Sequence, residues 1–282
     1  MSDNPQSWFA LPGHAVIVLK GRDAAAFAQA QFMNDTSLLA PGQWQWSGWL
    51  TPRGRAIALF ALLRHGEEEV RLLLPDAEPE AFATELRRYV FRSKVAIEVR
   101  GELRASAAFH PPAQARGNAA AAAGDGMELD FGAEGGARAL RIAKDADARE
   151  DAVAALRWKA FDLAHGLPRL DSAQAAQWTP QQLSLERLHA FSVRKGCYPG
   201  QEIVARTHFL GQAKRGLVLL EGEAALVDGD DVRIGERVAG TIVSAAGQLA
   251  LAVLPLEREP DIALAVAGTE VRERPLQTGL AR

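Results

Sequence analysis

Apolar positions in this chain fall into short runs separated by Gly, Pro and Asp, and their period changes along its length. Residues 15–20 (A-V-I-V-L-K) form a continuous β-branched run closed by Gly21, which predicts a buried strand. Asp23 stands at the N-cap position of a helix through A-A-A-F-A-Q-A-Q-F. In residues 48–55 a Pro-Arg-Gly turn separates two apolar runs; the second, residues 56–63, predicts a strand partnered by residues 70–74. Phe82, Leu86, Tyr89 and Val90 recur at helical spacing, predicting a helix over residues 78–91. Clean alternation in residues 94–100 (K-V-A-I-E-V-R) predicts a half-buried strand.

Residues 114–126 are biased to Ala and Gly and read as a surface connection, because no larger apolar side chain anchors them. Residues 147–165 predict a helix, stopped by Gly166 and Pro168. Counted at about 100° per residue from Val153, Leu156, Ala160, Leu163 and Ala164 lie within about 80° of it, while Trp158 points about 140° away. After Lys214, valine- and leucine-rich runs alternate with Gly and Asp turns, the pattern of a small antiparallel barrel or sandwich. Strands and helices mix without a regular βαβ rhythm, so the fold class is α+β with an all-β tail. The expected divisions are residues 1–101 and 102–213, both α+β, and residues 214–282 as the barrel.

Composition bounds the function. A chain of 282 residues is long for one core and favours two or three domains. No apolar run approaches the roughly 18 residues of a membrane span, and M-S-D-N-P-Q-S-W lacks the basic start and apolar stretch of a secretory signal. A cytoplasmic location is therefore expected. A net charge of −3 argues against a general nucleic-acid binder. Neither G-x-G-x-x-G after a strand nor G-x-x-x-x-G-K-[ST] occurs, so dinucleotide and phosphate-loop chemistry lack support. One cysteine builds no disulfide framework and no self-sufficient metal or iron–sulfur site.

That cysteine, Cys197, lies in R-K-G-C-Y-P-G-Q-E-I-V-A-R, residues 194–206. Between Glu186 and Arg215 stand six cations (Arg187, Arg194, Lys195, Arg206, Lys214, Arg215) against Glu186 and Glu202. Nearby cations and a following helix, with Pro199 in its first turn and its end by Gly211, would stabilise a thiolate. Gly196 and Gly200 leave the backbone beside the sulfur open to close approach. The expectation is an accessible, activated Cys197; a buried structural cysteine is the alternative. A dyad with His189 or His208 is a further option that no spacing supports.

K-G-C-Y-P-G-Q-E, residues 195–202, continued by V-A-R at 204–206, resembles the signature of the YgfZ family, folate-binding proteins of iron–sulfur cluster assembly and repair. L-K-G-R-D at 19–23 with Gln31, R-S-K-V at 92–95, G-L-P at 166–168 and A-G-T-I-V-S at 239–244 also fit, so the resemblance spans nearly the whole chain. That family is similar in architecture to the T-protein of the glycine cleavage system, an aminomethyltransferase. The resemblance implies two ferredoxin-like α+β portions around a central folate channel, plus a C-terminal antiparallel β-barrel. It implies tetrahydrofolate, often polyglutamylated, as cofactor, with iron–sulfur proteins or assembly factors as transient partners. Support of tRNA-modifying enzymes would be indirect, without nucleic-acid or membrane contact, in a monomer or weak dimer.

Cys197 and Lys195 are then the expected reactive groups. Trp158 and His14 match the family's two folate positions, although the best-known relative has a tryptophan where His14 stands. Off the helix stripe, Trp158 would be free to stack on a pterin or aminobenzoyl ring, with packing beneath another domain as the alternative. Gln201, Tyr198 and Arg206 are further candidates for the cofactor site, the cations for its glutamate carboxylates. Glu202 and Glu186 are candidates for its N–H groups. A folate-dependent one-carbon transferase is the competing function, and it would need an acid poised at the reactive folate nitrogen. A purely structural barrel adaptor would leave the cysteine loop unexplained.

Overall fold

A computed structural model describes residues 7–144, 148–211, 213–259 and 262–282. The chain opens with β1 (Phe9–Ala10), β2 (His14–Lys20) and α1 (Ala24–Gln31), then β3 (Trp44–Leu50), β4 (Ala56–Arg64), β5 (Glu69–Pro75), α2 (Pro79–Arg87) and β6 (Ala96–Val99). Five of these strands form an antiparallel sheet in the order β3-β4-β5-β2-β6. β3 and β4 have almost no solvent-facing side, which is why their runs are apolar throughout rather than alternating. One face packs on α1 and α2 through Phe27, Phe32, Phe60, Phe82 and Leu86. Asp23 does sit at the N-cap of α1, yet its carboxylate accepts the Lys94 backbone N–H at 2.6 Å instead of capping the helix.

The second sheet has the order β1-β7-β10-β9-β8, with β7 (Arg104–Ala108), β8 (Ala121–Ala123), β9 (Gly126–Asp130) and β10 (Ala139–Ala143). Part of the Ala-rich stretch expected to be a surface connection is therefore an edge strand, fixed by pairing with β9 rather than by its own propensity. α3 (Ala152–Ala164) lies across this region, and Asp151 caps it by accepting the Ala154 N–H at 2.9 Å. Asp147, the expected start of that helix, lies outside the described residues.

α4 (Gln201–Leu210) leads to β11 (Arg215–Gly222), β12 (Asp231–Ile234), β13 (Arg237–Ala246), β14 (Leu249–Pro255), β15 (Leu264–Val266) and β16 (Thr269–Arg274). These six close into an antiparallel barrel, β11-β14-β13-β12-β15-β16. Two segments cross the divisions read from sequence. β1 joins the second sheet, and the C-terminal tail returns to it: Arg282 bonds the carbonyls of Asp130 and Gly132, while Trp46 donates to Leu280 O at 2.7 Å. No described helix is long and apolar enough to cross a membrane.

Candidate functional site

The segment 191–200 has no regular secondary structure, and its shape is set by its own side chains. Lys195 is 6% exposed, and its ammonium donates to the carbonyls of Gln29 (2.5 Å), Phe32 (2.5 Å) and Asn34 (2.9 Å). Those carbonyls lie at the C-terminal end of α1, the negative pole of its dipole, where a cation is favoured. Gln201 donates its amide to Lys195 O at 2.9 Å, and the Tyr198 hydroxyl donates to Ser192 O at 3.1 Å. Asn34 ties the assembly inward by donating to Trp46 O and His189 O.

The loop also docks on the β3–β4 turn. Gly200 adopts φ +80°, and a Cβ there would lie 2.6 Å from Thr51 O and 2.7 Å from Gly54 Cα. Gly54 in turn has φ +69° and would meet Ile203. Glycine at both positions lets two backbones touch.

Against this frame Cys197 is exposed, and its thiol has no hydrogen bond or ion pair among the described residues. Neither His189 nor His208 bonds it. Lys195 was expected to be a reactive group beside the sulfur; its charge is instead committed to α1, which makes it the clamp of the loop. Tyr198 and Gln201, expected at the cofactor, likewise spend their polar atoms inside the loop. Burial pushes the Tyr198 phenol up from its ordinary range. On the outer side of α4, Glu202 and Arg206 are exposed without ion-pair partners among the described residues, as is Arg194 before the cysteine. Glu186 lines a separate open cleft of about 350 Å³ with Gln181, Thr207, His208 and Leu256. Although Glu186 reaches solvent, the cleft walls strip enough water to hold its carboxyl above the usual range.

Lys195 makes its burial measurable. Desolvation lowers its pKa from 10.5 to about 8. Below pH 8 the ammonium is charged in both folded and unfolded chains. Between pH 8 and 10.5 the unfolded chain holds a proton that the folded chain has released, so stability gains with rising pH in that window. The gain is on the order of 3 kcal/mol. Urea titrations at pH 7.5 and 9.5, below the tyrosine range, should show a rise for the wild type that Lys195→Met lacks. Equal slopes in the two proteins would mean the ammonium is hydrated.

Of the two positions matched to folate, Trp158 lies in the interior and His14 is partly buried. Trp158 is 1% exposed, whereas Leu156 on the expected buried stripe is 49% exposed. The helix face read from the aliphatic positions is thus corrected: Trp158, Asp162 and Leu163 point inward. The reason is a mixed environment. Trp158 packs against Phe9, Phe109 and Phe131, and the Arg138 guanidinium lies 4.2 Å from its ring centroid. Stacking of a ligand on an outward-facing Trp158 is therefore not what this arrangement offers.

Sequence reading missed the charges behind that ring. Arg138 Nη1 meets Asp162 Oδ1 at 2.8 Å, Asp162 Oδ2 meets Arg169 Nη1 at 3.2 Å, and Arg169 Nε meets Asp76 Oδ2 at 2.6 Å. Asp162 follows Trp158 by four residues on one helix face, the one local hint of this chain. At its far end Arg169 acts on His14, at the start of β2. Burial, reinforced by Arg169, holds His14 well below its ordinary value and so neutral at pH 7. Among the described residues, His14 Nδ1, Trp158 Nε1 and Arg138 Nη2 are buried without hydrogen-bond partners.

No family model matches the chain. The curated "tRNA-modifying protein YgfZ" of Klebsiella pneumoniae is 31% identical over 291 aligned positions, covering 91% of this chain and 88% of that protein. Its namesake in Aliivibrio fischeri is 28% identical over 274 positions, covering 88% and 84%. Among solved structures, the glycine cleavage system aminomethyltransferase T of Bartonella henselae superposes with a TM-score of 0.73 at 16% identity, over 94% of this chain and 83% of that one. That likeness establishes an aminomethyltransferase-like fold, the α+β body and closed barrel described above. With a relative 31% identical along nearly its full length, the chain belongs to the YgfZ family.

Proposed function

We propose that this protein is a folate-binding accessory factor that supports tRNA modification by assisting assembly or repair of iron–sulfur enzymes, with Cys197 as its reacting group. The observation that carries this reading is the division of labour in the cysteine loop. Lys195, Tyr198 and Gln201 are bonded into its frame, and the thiol projects from it exposed, with no hydrogen bond or ion pair among the described residues. A fold that only needed a small apolar residue there would bury it. One thiolate holds no cluster, so Cys197 acts together with ligands of the client protein. The net charge of −3 favours action on the modifying enzymes rather than on tRNA itself.

Tetrahydrofolate, when bound, supplies one-carbon or reducing chemistry. The residues fit such a ligand in one respect: His14 Nδ1, Trp158 Nε1 and Arg138 Nη2 are orphaned nitrogens that carbonyl and ring-nitrogen groups of a pterin would satisfy. Exposed Arg194, Arg206 and Lys214 suit its glutamate carboxylates.

Calorimetric titration with tetrahydrofolate tests the folate half of the proposal. Trp158→Phe is the variant of choice, because it keeps the packing and removes the N–H, whereas alanine would cost about 3–5 kcal/mol of stability. Affinity should fall about tenfold in Trp158→Phe and in His14→Ala, given that a lost hydrogen bond is worth about 1–2 kcal/mol. Unchanged affinity in both, or no binding by the wild type, would remove the folate assignment. Conversion of tetrahydrofolate to methylene-tetrahydrofolate with an amine donor would instead make the protein a transferase.

A further inference from the structure

A second cleft, of about 370 Å³, opens on the other side of the first sheet, between α2, the start of β4 and residues 170–175. Its walls are Trp49, Ile57, Phe82, Tyr89 and Leu170, and its volume falls within the usual range for small-molecule sites. Trp49 and Phe82 belong to the helix-side core, Leu170 belongs to the core that holds Trp158, and neither Trp158 nor His14 lines this cleft.

Its charge is one-sided. Glu78, Glu85 and Asp171 are the charged residues lining it, and all three are acidic. Glu85 is paired with Arg88 at 2.7 Å, and Asp171 Oδ1 accepts the N–H groups of Ala173 and Gln174. Glu78, at the N-cap of α2, makes no side-chain cap bond and has no ion pair among the described residues. Trp49, 3% exposed and part of the wall, carries an indole N–H without an acceptor among the described residues. An aromatic, apolar slot with an unpaired carboxylate at its mouth attracts a cation with an apolar body and repels an anion.

We infer that this cleft binds a small organic cation, an amine attached to an aromatic or aliphatic body. Folate, with its carboxylates, is the wrong charge for it. The floor includes Thr51 and Pro52 of the turn on which the cysteine loop docks, so an occupant abuts that turn.

The test uses 2-(2-naphthyl)ethylamine as probe and 2-naphthylacetate as its anionic counterpart, titrated into the full chain at pH 7. Binding is followed by calorimetry and by the Trp49 indole N–H resonance, assigned with Trp49→Phe. The amine should bind at least tenfold more tightly than the carboxylate and shift the Trp49 signal. Glu78→Gln should weaken it about two- to fivefold, the range for one exposed charge. Ala81→Phe, which fills the cleft from the exposed side of α2, should abolish it while leaving the tetrahydrofolate titration unchanged. Equal binding of amine and acid, an unmoved Trp49 resonance, amine binding that survives Ala81→Phe, or no amine binding at millimolar probe would each overturn the inference. None of these outcomes bears on the role of Cys197.

Discussion

Cys197→Ala is expected to abolish complementation of a strain lacking its YgfZ protein, read as the level of modified nucleosides in tRNA. Stability should change by less than about 0.5 kcal/mol, because the side chain is exposed and makes no bond among the described residues. Tetrahydrofolate affinity should stay within about twofold of wild type, since Cys197 is not one of the two positions matched to folate. The combination is the informative part. Full complementation by the alanine protein would show that the thiol is not the reacting group. Loss of folate binding alongside lost complementation would show that the sulfur is structural. Cys197→Ser should fail as alanine does, since a hydroxyl near neutral pH supplies neither a thiolate nor a metal ligand.

Asp162→Ala should produce the largest loss of stability. Asp162 stands between two arginines that are themselves buried, Arg138 and Arg169, and its removal leaves both without that counter-charge. Breaking a buried pair in this way costs about 3–5 kcal/mol. For a chain of this length that corresponds to a fall in Tm of about ten degrees. Asp162→Asn should cost less, since it keeps the shape and one acceptor. A loss below about 1 kcal/mol in the alanine protein, measured by urea titration, would mean that water reaches the pair. The Arg138 ring contacts give a further check: Trp158→Phe weakens one of them and should be sub-additive with Asp162→Ala, because both act through Arg138.

Strands of the first sheet and of the barrel were legible because their runs are long, β-branched and punctuated by Gly and Asp. The second sheet was not. R-A-S-A-A of β7 and A-A-A of β8 carry little strand preference of their own and are strands because β10 and β9 pair with them. The reading of α3 failed for a different reason. Counting aliphatic positions assumes that a helix buries hydrocarbon and exposes the rest, and here the buried face carries a tryptophan and a carboxylate matched by Arg138. Asp23 shows the same limit on a smaller scale, since its cap position was right and its bonding partner came from residue 94.

The cysteine loop divides along that line. A lone thiol between glycines, ahead of a short helix and among cations, is a local pattern, and local patterns survive in the linear order of residues. So does the α+β body ending in a barrel, because turn residues and hydrophobic period are local as well. Where each charge goes is a different kind of fact. Lys195 closes on carbonyls 161 to 166 residues away, and Asp76, Arg138 and the pair Asp162 and Arg169 meet from three separate segments. A buried charge is tolerated or ruinous according to what surrounds it, and those surroundings exist once the chain has folded.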